Sequence, residues 1–488
     1  MKRFQEISFW IIILSFFKLD EAKEFGIYDG GEYYKTKDIE NAAGDTFIDL
    51  RNLVTMPIVF CRSGDSSSGD LRLDDLDLHY WDTHSMDFDA VRDQFPIFKT
   101  VVNDKSTIYL DSASTAQMPK SVIDAIVEYY QTYRANVGRG LYLFAEKSTQ
   151  MFELSRMKVA RFINADASEI IFTAGATSAI NLAAHIWVEN NVKAGDEIVI
   201  SEVEHNANFI PWQQLAKQTG VVLKRVPLNA RGVVDVETFK QYITSKTKFV
   251  ALTHQSNILG MANDVKSLIA QAHQVGAKVL IDGAQSIAHQ KIDVKDLDCD
   301  FFVFSGHKLF GPTGVGVLFM KKSLLPECKL CNFGGGMVYA VTPESTEFKS
   351  MPYCFEPGTQ AIAQVIGLGA AVDFIQKNIN FAQVQEHETK LVCKLAAAVS
   401  MLPGITILSP VPEQGEHSCL VTFTSDRYHA YDIAEFLNQH GIAVRAGFHC
   451  VQPYHDKMGG SSSVRVSISV YNTDDEIDCL IGILKKMF

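Results

Sequence analysis

An apolar run in FFVFSGHKLFGPTGVG, residues 301 to 316, passes through Ser305, Gly306 and His307 to Lys308 and then into a Gly/Pro-rich loop. An amine held beside an apolar strand has its charged form disfavoured, and so reaches the neutral, nucleophilic state that forms a Schiff base. A surface lysine in a turn is the plainer alternative. One apolar run earlier, LIDG ends in Asp282, followed by Ala284 and Gln285. A buried carboxylate needs a partner, and a pyridinium nitrogen is one; an Asp capping a turn is the other reading. TAGATSAIN, residues 173 to 181, predicts a helix starting near Thr177, whose free amides suit a phosphate, although an ordinary N-cap reads the same. His205 in SEVEHNAN offers a flat ring for stacking, and Asn257 in HQSN could donate to a phenolic oxygen. Cys450 in RAGFHCVQP stands between a small buried hydrophobe and a thiolate nucleophile, with His449 and Arg445 as the local groups able to favour the thiolate.

Elements must bring these residues together. From Thr107 onward, β-branched apolar runs alternate with segments of helical period, the pattern of βα units and a mostly parallel sheet. The expected strands are 170–173, 197–201, 248–253, 278–282 and 301–304. Between two of them Asn263 is expected to cap a helix with Val265, Leu268, Ile269 and Ala272 inward and Gly276 past its end. Several strands end in polar or Gly-rich residues, and ligands of open α/β sheets bind beyond such carboxyl ends. Past about residue 370 the pattern changes to a smaller α+β domain, with strands at 419–424 and 464–470 and a terminal helix at 474–487.

The chain has 488 residues, 47% hydrophobic and 21% charged, enough for two or three domains with a sizeable core. Its net charge of −12 and lack of a long basic run disfavour nucleic-acid binding. Nine cysteines, an odd number, fit reduced thiols better than a disulfide framework. The one CxxC, Cys328 and Cys331, lacks a second ligand pair, so no metal is expected. Lys2 and Arg3 precede an apolar run, 7–17, too short to span a bilayer, where about 20 residues are needed. No small-residue cleavage site follows, and the acidic stretch to Asp82 is unlike a transit peptide. Residues 1–85 are therefore expected to be a poorly ordered or targeting extension, with SGDSSSGD at 63–70 as linker, and the compartment cytoplasmic, or organellar if the extension is a leader.

Taken in order, EHNAN, SN, DGAQ and SGHK closely resemble the fold-type I, class V pyridoxal-phosphate (PLP) enzymes, from Met86 to the C-terminus. RAGFHCVQP and VRVSISVYNT resemble the group II, SufS-like cysteine desulfurases, the branch that includes selenocysteine lyases. The resemblance implies a large PLP domain over 86–370 and a small domain over 371–488 carrying the cysteine loop. By position it implies Lys308 as the Schiff-base lysine, Asp282 facing the pyridine nitrogen and His205 stacked on the ring. Asn257 and Gln285 would meet the ring oxygen, and Thr177, Ser305 and His307 the phosphate. Thr359 of FEPGT would reach the phosphate of a partner subunit, making the unit a homodimer. Arg465 would clamp the substrate carboxylate, with Arg445 and Asn257 beside the substrate, and Cys450 would form the persulfide. Two departures stand out: Gly138 where the family usually has His, and Ala176 where it often has Thr.

The reaction so implied takes L-cysteine to L-alanine, leaves sulfane sulfur on Cys450 and passes it to a SufE- or SufU-like acceptor for iron–sulfur cluster assembly. A selenocysteine lyase acting on L-selenocysteine, another class V aminotransferase and a non-enzymatic assembly scaffold are the competing readings.

Overall fold

The computed structural model describes residues 26–29, 32–35, 85–102 and 105–488. The chain falls into two units, 1–78 and 79–488. In the first, Gly26–Asp29 pairs antiparallel with Glu32–Lys35; the apolar run 7–17, the Ser-rich linker and the acidic stretch lie outside the described residues.

In the second unit the largest sheet among the described residues has seven strands. They are β1 (Ile170–Thr173), β2 (Glu197–Ser201), β3 (Val222–Val226), β4 (Thr247–Thr253), β5 (Lys278–Asp282), β6 (Phe301–Ser305) and β7 (Gly316–Met320), in the order β1-β7-β6-β5-β4-β2-β3. All pairings are parallel except those of β7, which runs against β6 and β1. The fold is thus α/β with a mostly parallel sheet. β2, β6 and β7 are buried throughout, as continuous apolar runs covered on both faces should be. β3 and β7 were not among the expected strands: β3 is a half-exposed edge whose Lys224 and Arg225 break its apolar run, and β7 follows directly on a Gly/Pro loop.

The main helices are α1 (Leu143–Phe162), α2 (Ala176–Ala183), α3 (Asn206–Thr219), α4 (Val265–Gln274), α5 (Ile362–Asn378), α6 (Phe381–Ser400), α7 (Ala430–Gln439) and α8 (Asp474–Met487). α4 buries the four apolar residues expected, but its cap is Asp264, whose side chain accepts from Ser267 N. Asn263 is diverted: its Nδ2 donates to Thr253 O and its Oδ1 accepts from Val234 N, joining α4 to the end of β4. The change of pattern expected near residue 370 falls inside α5, which runs unbroken. Its glycines allow close packing; a Cβ at Gly369 would lie 2.3 Å from Ser155 Oγ on α1. Arg156 of α1 makes a buried two-pronged pair with Glu356 at 2.7 and 2.8 Å, and Glu356 also accepts from Phe172 N on β1.

The C-terminal part carries a four-stranded antiparallel sheet, β8 (Ile405–Ile407), β9 (Leu420–Ser425), β10 (Arg445–Gly447) and β11 (Ser463–Ser467), in the order β8-β9-β11-β10. Leu391 and Leu395 of α6, Ile433 and Leu437 of α7, and Leu480 and Leu484 of α8 close its core. Residues from far upstream join it: Ile108–Tyr109 pairs in parallel with Ile442–Ala443, and Asp111 bridges Ser467. His289, just past β5, is bound through Nδ1 to Glu388 of α6 at 2.9 Å, and His417 Nε2 meets the same carboxylate at 2.8 Å. This is the one group with metal-ligand spacing among the described residues, and its donor atoms already satisfy one another.

Candidate active site

The segments at the ends of five strands, β1, β2, β4, β5 and β6, and the Cys450 loop enclose a cavity of about 290 Å³. Lys308, Asp282, His205, Asn257, Gln285, Thr177, Ser305, His307, Arg445, Arg465 and Cys450 all line it. Of the residues expected, Thr359 alone is not part of its wall; it is exposed, 3.4 Å from Asn136 Nδ2.

Lys308 ends the short turn that follows β6. Burial lowers its amine to about 8, against the opposing pull of Asp282. Asp282, the last residue of β5, is raised by burial; its Oδ1 accepts from Ala284 N at 2.9 Å. At the other end of the cavity, Ser305 Oγ accepts from Ala176 N at 2.8 Å and seats the N-terminus of α2 on the sheet edge. That seat depends on bare backbone, since a Cβ on Gly316 would lie 2.4 Å from the Cα of Gly175. Thr177 and His307 flank it, and burial with nearby Lys308 holds His307 down at about 4.

His205 is the N-cap of α3, and its Nδ1 accepts from Ala207 N at 3.1 Å. Burial and the positive charges of Lys308 and Arg465 lower it to about 4, so it is a neutral ring at neutral pH with its proton on Nε2. The Cys450 loop arrives from the opposite side. His449 and Cys450 both have left-handed backbone angles, φ 47° and 58°, a conformation that costs roughly 1 kcal/mol or more per non-Gly residue. Two hydrogen bonds from the segments that follow β4 and β2 hold it: Asn257 Nδ2 to His449 O at 2.9 Å, and Asn206 N, the first residue of α3, to Cys450 O at 2.8 Å. Asn257 thus spends one amide hydrogen on the loop, and Gln285 Nε2 likewise donates to Ala113 O at 2.8 Å.

The expectation that His449 supplies positive charge to the thiol is corrected. Burial, reinforced by Arg465 and His455, takes His449 to about 3, and its Nε2 is turned to Ser463 Oγ at 3.0 Å. Arg445 and Lys308 are cations within electrostatic reach of Cys450. Sequence reasoning missed what orients Arg445. Asp111 binds Arg445 at 3.0 Å and Arg465 Nη2 at 3.1 Å, one carboxylate ordering two guanidinium groups. Arg465 also donates to Ser114 Oγ and Asn257 O, while its buried Nε has no hydrogen-bond partner among the described residues. The only local signal for Asp111 was a carboxylate ending a short apolar run, IYLD.

A buried acid, a lysine of lowered pKa beside it and a helix N-terminus with hydroxyl groups fit a ligand with a ring nitrogen, an aldehyde and a phosphate, and the under-satisfied buried arginine is left for a separate carboxylate. The first three are the donor set PLP requires.

Comparison with known proteins agrees. Residues 108–480 match the family model of aminotransferase class-V. A probable cysteine desulfurase of Halalkalibacterium halodurans is 44% identical over 402 residues, 82% of this chain and 98% of that protein. The apo cysteine desulfurase of Thermococcus onnurineus NA1 superposes with a TM-score of 0.78 at 33% identity, over 83% of this chain and 99% of that one. The cysteine desulfurase CsdA of Escherichia coli, in an S-sulfonic acid form, gives 0.76 at 35% identity over 83% and 98%. The fold and the site define a class V, fold-type I PLP-dependent enzyme. The chain belongs to the aminotransferase class-V family.

Proposed function

We propose that the chain is a PLP-dependent cysteine desulfurase of the group II, SufS-like kind, and that Cys450 is the residue that accepts the sulfur. The observation carrying this reading is that Lys308, Asp282, Arg465 and Cys450 line one cavity. Lys308 is the attachment point for PLP, Asp282 the partner of its ring nitrogen, His205 the ring against its face, and Asn257 and Gln285 the neighbours of its ring oxygen. Thr177, Ser305 and His307 hold its phosphate. When bound, PLP supplies an electron sink that lets a proton leave the substrate Cα.

The protein's own groups do the rest. Arg465 takes the carboxylate of L-cysteine in bidentate fashion, with Asp111 fixing its plane and Arg445 at the mouth. Lys308, as a neutral amine, removes the Cα proton. The Cys450 thiolate attacks the substrate sulfur; an S–S bond forms as the Cβ–S bond breaks, the electron pair stays on Cβ, which takes up a proton, and Lys308 returns a proton to Cα to complete L-alanine. The enzyme is left with a Cys450 persulfide. A SufE- or SufU-like acceptor then removes the sulfane sulfur for iron–sulfur cluster assembly.

The reading also places residues 86–370 in a PLP domain and 371–488 in a domain that presents Cys450, in a homodimer where Thr359 serves the partner's phosphate. Leu141, Leu143 and Phe144 are exposed, Leu141 by 94%, which supports a covered face there. Among the described residues no helix is long and apolar enough to cross a membrane; a cytoplasmic setting is part of the proposal. The test is the visible spectrum of the purified protein with an assay of alanine and sulfide from L-cysteine. Bound PLP with equal yields of alanine and reducible sulfur is expected; a colourless protein that PLP does not reconstitute would falsify the reading.

A further inference from the structure

Behind the wall formed by His205 runs a chain of hydrogen bonds that reaches neither substrate nor cofactor. Trp212 Nε1 donates to Asn208 Oδ1 at 3.1 Å, Asn208 Nδ2 donates to Glu204 Oε2 at 2.7 Å, and Thr253 N donates to Glu204 Oε1 at 2.9 Å. Ser201 Oγ lies 2.6 Å from the same Oε1. Trp212 and Asn208 are fully buried and Glu204 is 4% exposed.

The direction of this chain is dictated by chemistry. An indole N–H can only donate, so Asn208 must present its oxygen to Trp212 and its amide nitrogen to Glu204. A backbone N–H also can only donate, so both oxygens of Glu204 must accept. Ser201 is the single neighbour able to take a proton from it. Burial raises Glu204 to about 7 despite these donors, with Asp282 adding to the rise.

The chain ties the end of β4 and the end of β2 to the first turns of α3. That turn carries both His205 and Asn206, the residue whose N–H holds the carbonyl of Cys450. We infer that Glu204 is a positioning residue: the directional relay from Trp212 through Asn208 to Glu204 sets the first turn of α3, and thereby the spacing between the His205 ring and the Cys450 loop. The inference rests on the reading of His205 and Cys450 given above.

Glu204→Gln tests it, because glutamine matches the shape but, with its oxygen kept on Thr253 N and Ser201, must point an amide nitrogen at the amide nitrogen of Asn208. Holoenzyme is compared by visible-region circular dichroism of bound PLP, by PLP dissociation in equilibrium dialysis, and by the alkylation rate of Cys450 with iodoacetamide. Glu204→Gln should change the ellipticity, weaken PLP retention roughly 10-fold and shift the alkylation rate severalfold. Adding Trp212→Phe removes the donor that fixes Asn208, whose amide can then turn its oxygen to the glutamine. The double variant should recover toward the parent in all three measurements, which a merely destabilising pair would not do. Unchanged ellipticity and alkylation in Glu204→Gln, or a double variant no better than the single, overturns the relay. If Glu204→Gln does not accumulate folded, Asn208→Ala cuts the chain with a strong helix former and should move the same readouts in the same direction; no movement again overturns the relay. A parent enzyme without bound PLP would instead overturn the functional reading.

Discussion

Single side chains decide the chemistry, and their environments make separable forecasts. Cys450→Ala should reduce alanine and sulfur release by about 10³-fold or more while leaving the coloured cofactor in place, read by turnover and absorbance. Asp111→Asn should act differently, because it removes the anion shared by Arg445 and Arg465. Charged hydrogen bonds of this kind contribute about 1.5–3 kcal/mol, so KM for L-cysteine should rise by roughly 10- to 100-fold with a smaller change in kcat. Lys308 is lowered by burial to about 8. Only its neutral form can capture the cofactor aldehyde, so capture by the PLP-free protein should speed up about 10-fold from pH 6 to 7 and level off above pH 8. Flat kinetics over that range would contradict the environment described for Lys308. Lys308, Asp282 and Cys450 were legible because each stands in a short motif at the end of a strand or in a Gly/His loop. Asp111 was not, since its partners lie 334 and 354 residues further along the chain. His449 was legible as a neighbour but not as a neutral one, because its burial arises from packing between distant segments.

At the level of elements, the ties are buried ion pairs. Glu356→Ala would leave Arg156 and Phe172 N without their shared carboxylate, at a cost of about 3–5 kcal/mol in urea unfolding. The His289–Glu388–His417 group adds a pH signature. Burial opposes the charge on His289, but Cys419 and Glu388 outweigh it and raise the ring well above its ordinary value. Burial likewise opposes ionisation of Glu388, and His289 and His417 outweigh it, lowering the carboxyl. The raised histidine contributes stability fully below its ordinary value of about 6.5 and loses it as pH climbs through the folded value. The lowered carboxyl contributes above about 4.5 and loses it on acidification. The gap in Tm between the parent and Glu388→Gln should therefore be widest between about pH 4.5 and 6.5. The five large-sheet strands expected from their apolar runs were readable to within a residue; β7 escaped because its apolar run follows directly on a Gly/Pro loop, and β3 because an edge strand does not have to be apolar on both faces. The cap of α4 fell one residue late because Asn263 had a stronger use, bridging Val234 and Thr253.

For the molecule as a whole, Leu141→Asp combined with Leu143→Asp should shift the protein toward a smaller species in sedimentation equilibrium if that exposed stretch is the subunit face; an unchanged mass rejects the assignment. The α/β class and the mostly parallel sheet were legible from alternation of period alone. The boundary expected near residue 370 meets no break in the backbone, since α5 runs through it as an uninterrupted helix. The contribution of residues 108–111 to the C-terminal part was not legible: there Ile108–Tyr109 forms a two-stranded sheet with Ile442–Ala443 and Asp111 bridges Ser467. The C-terminal residues 371–488 therefore lean on a stretch of polypeptide about 260 residues upstream of them. Produced alone from about residue 371, they would display an unfinished sheet margin and lack the anion that orders both guanidinium groups. Split-protein halves divided at that point should stay inert until reunited.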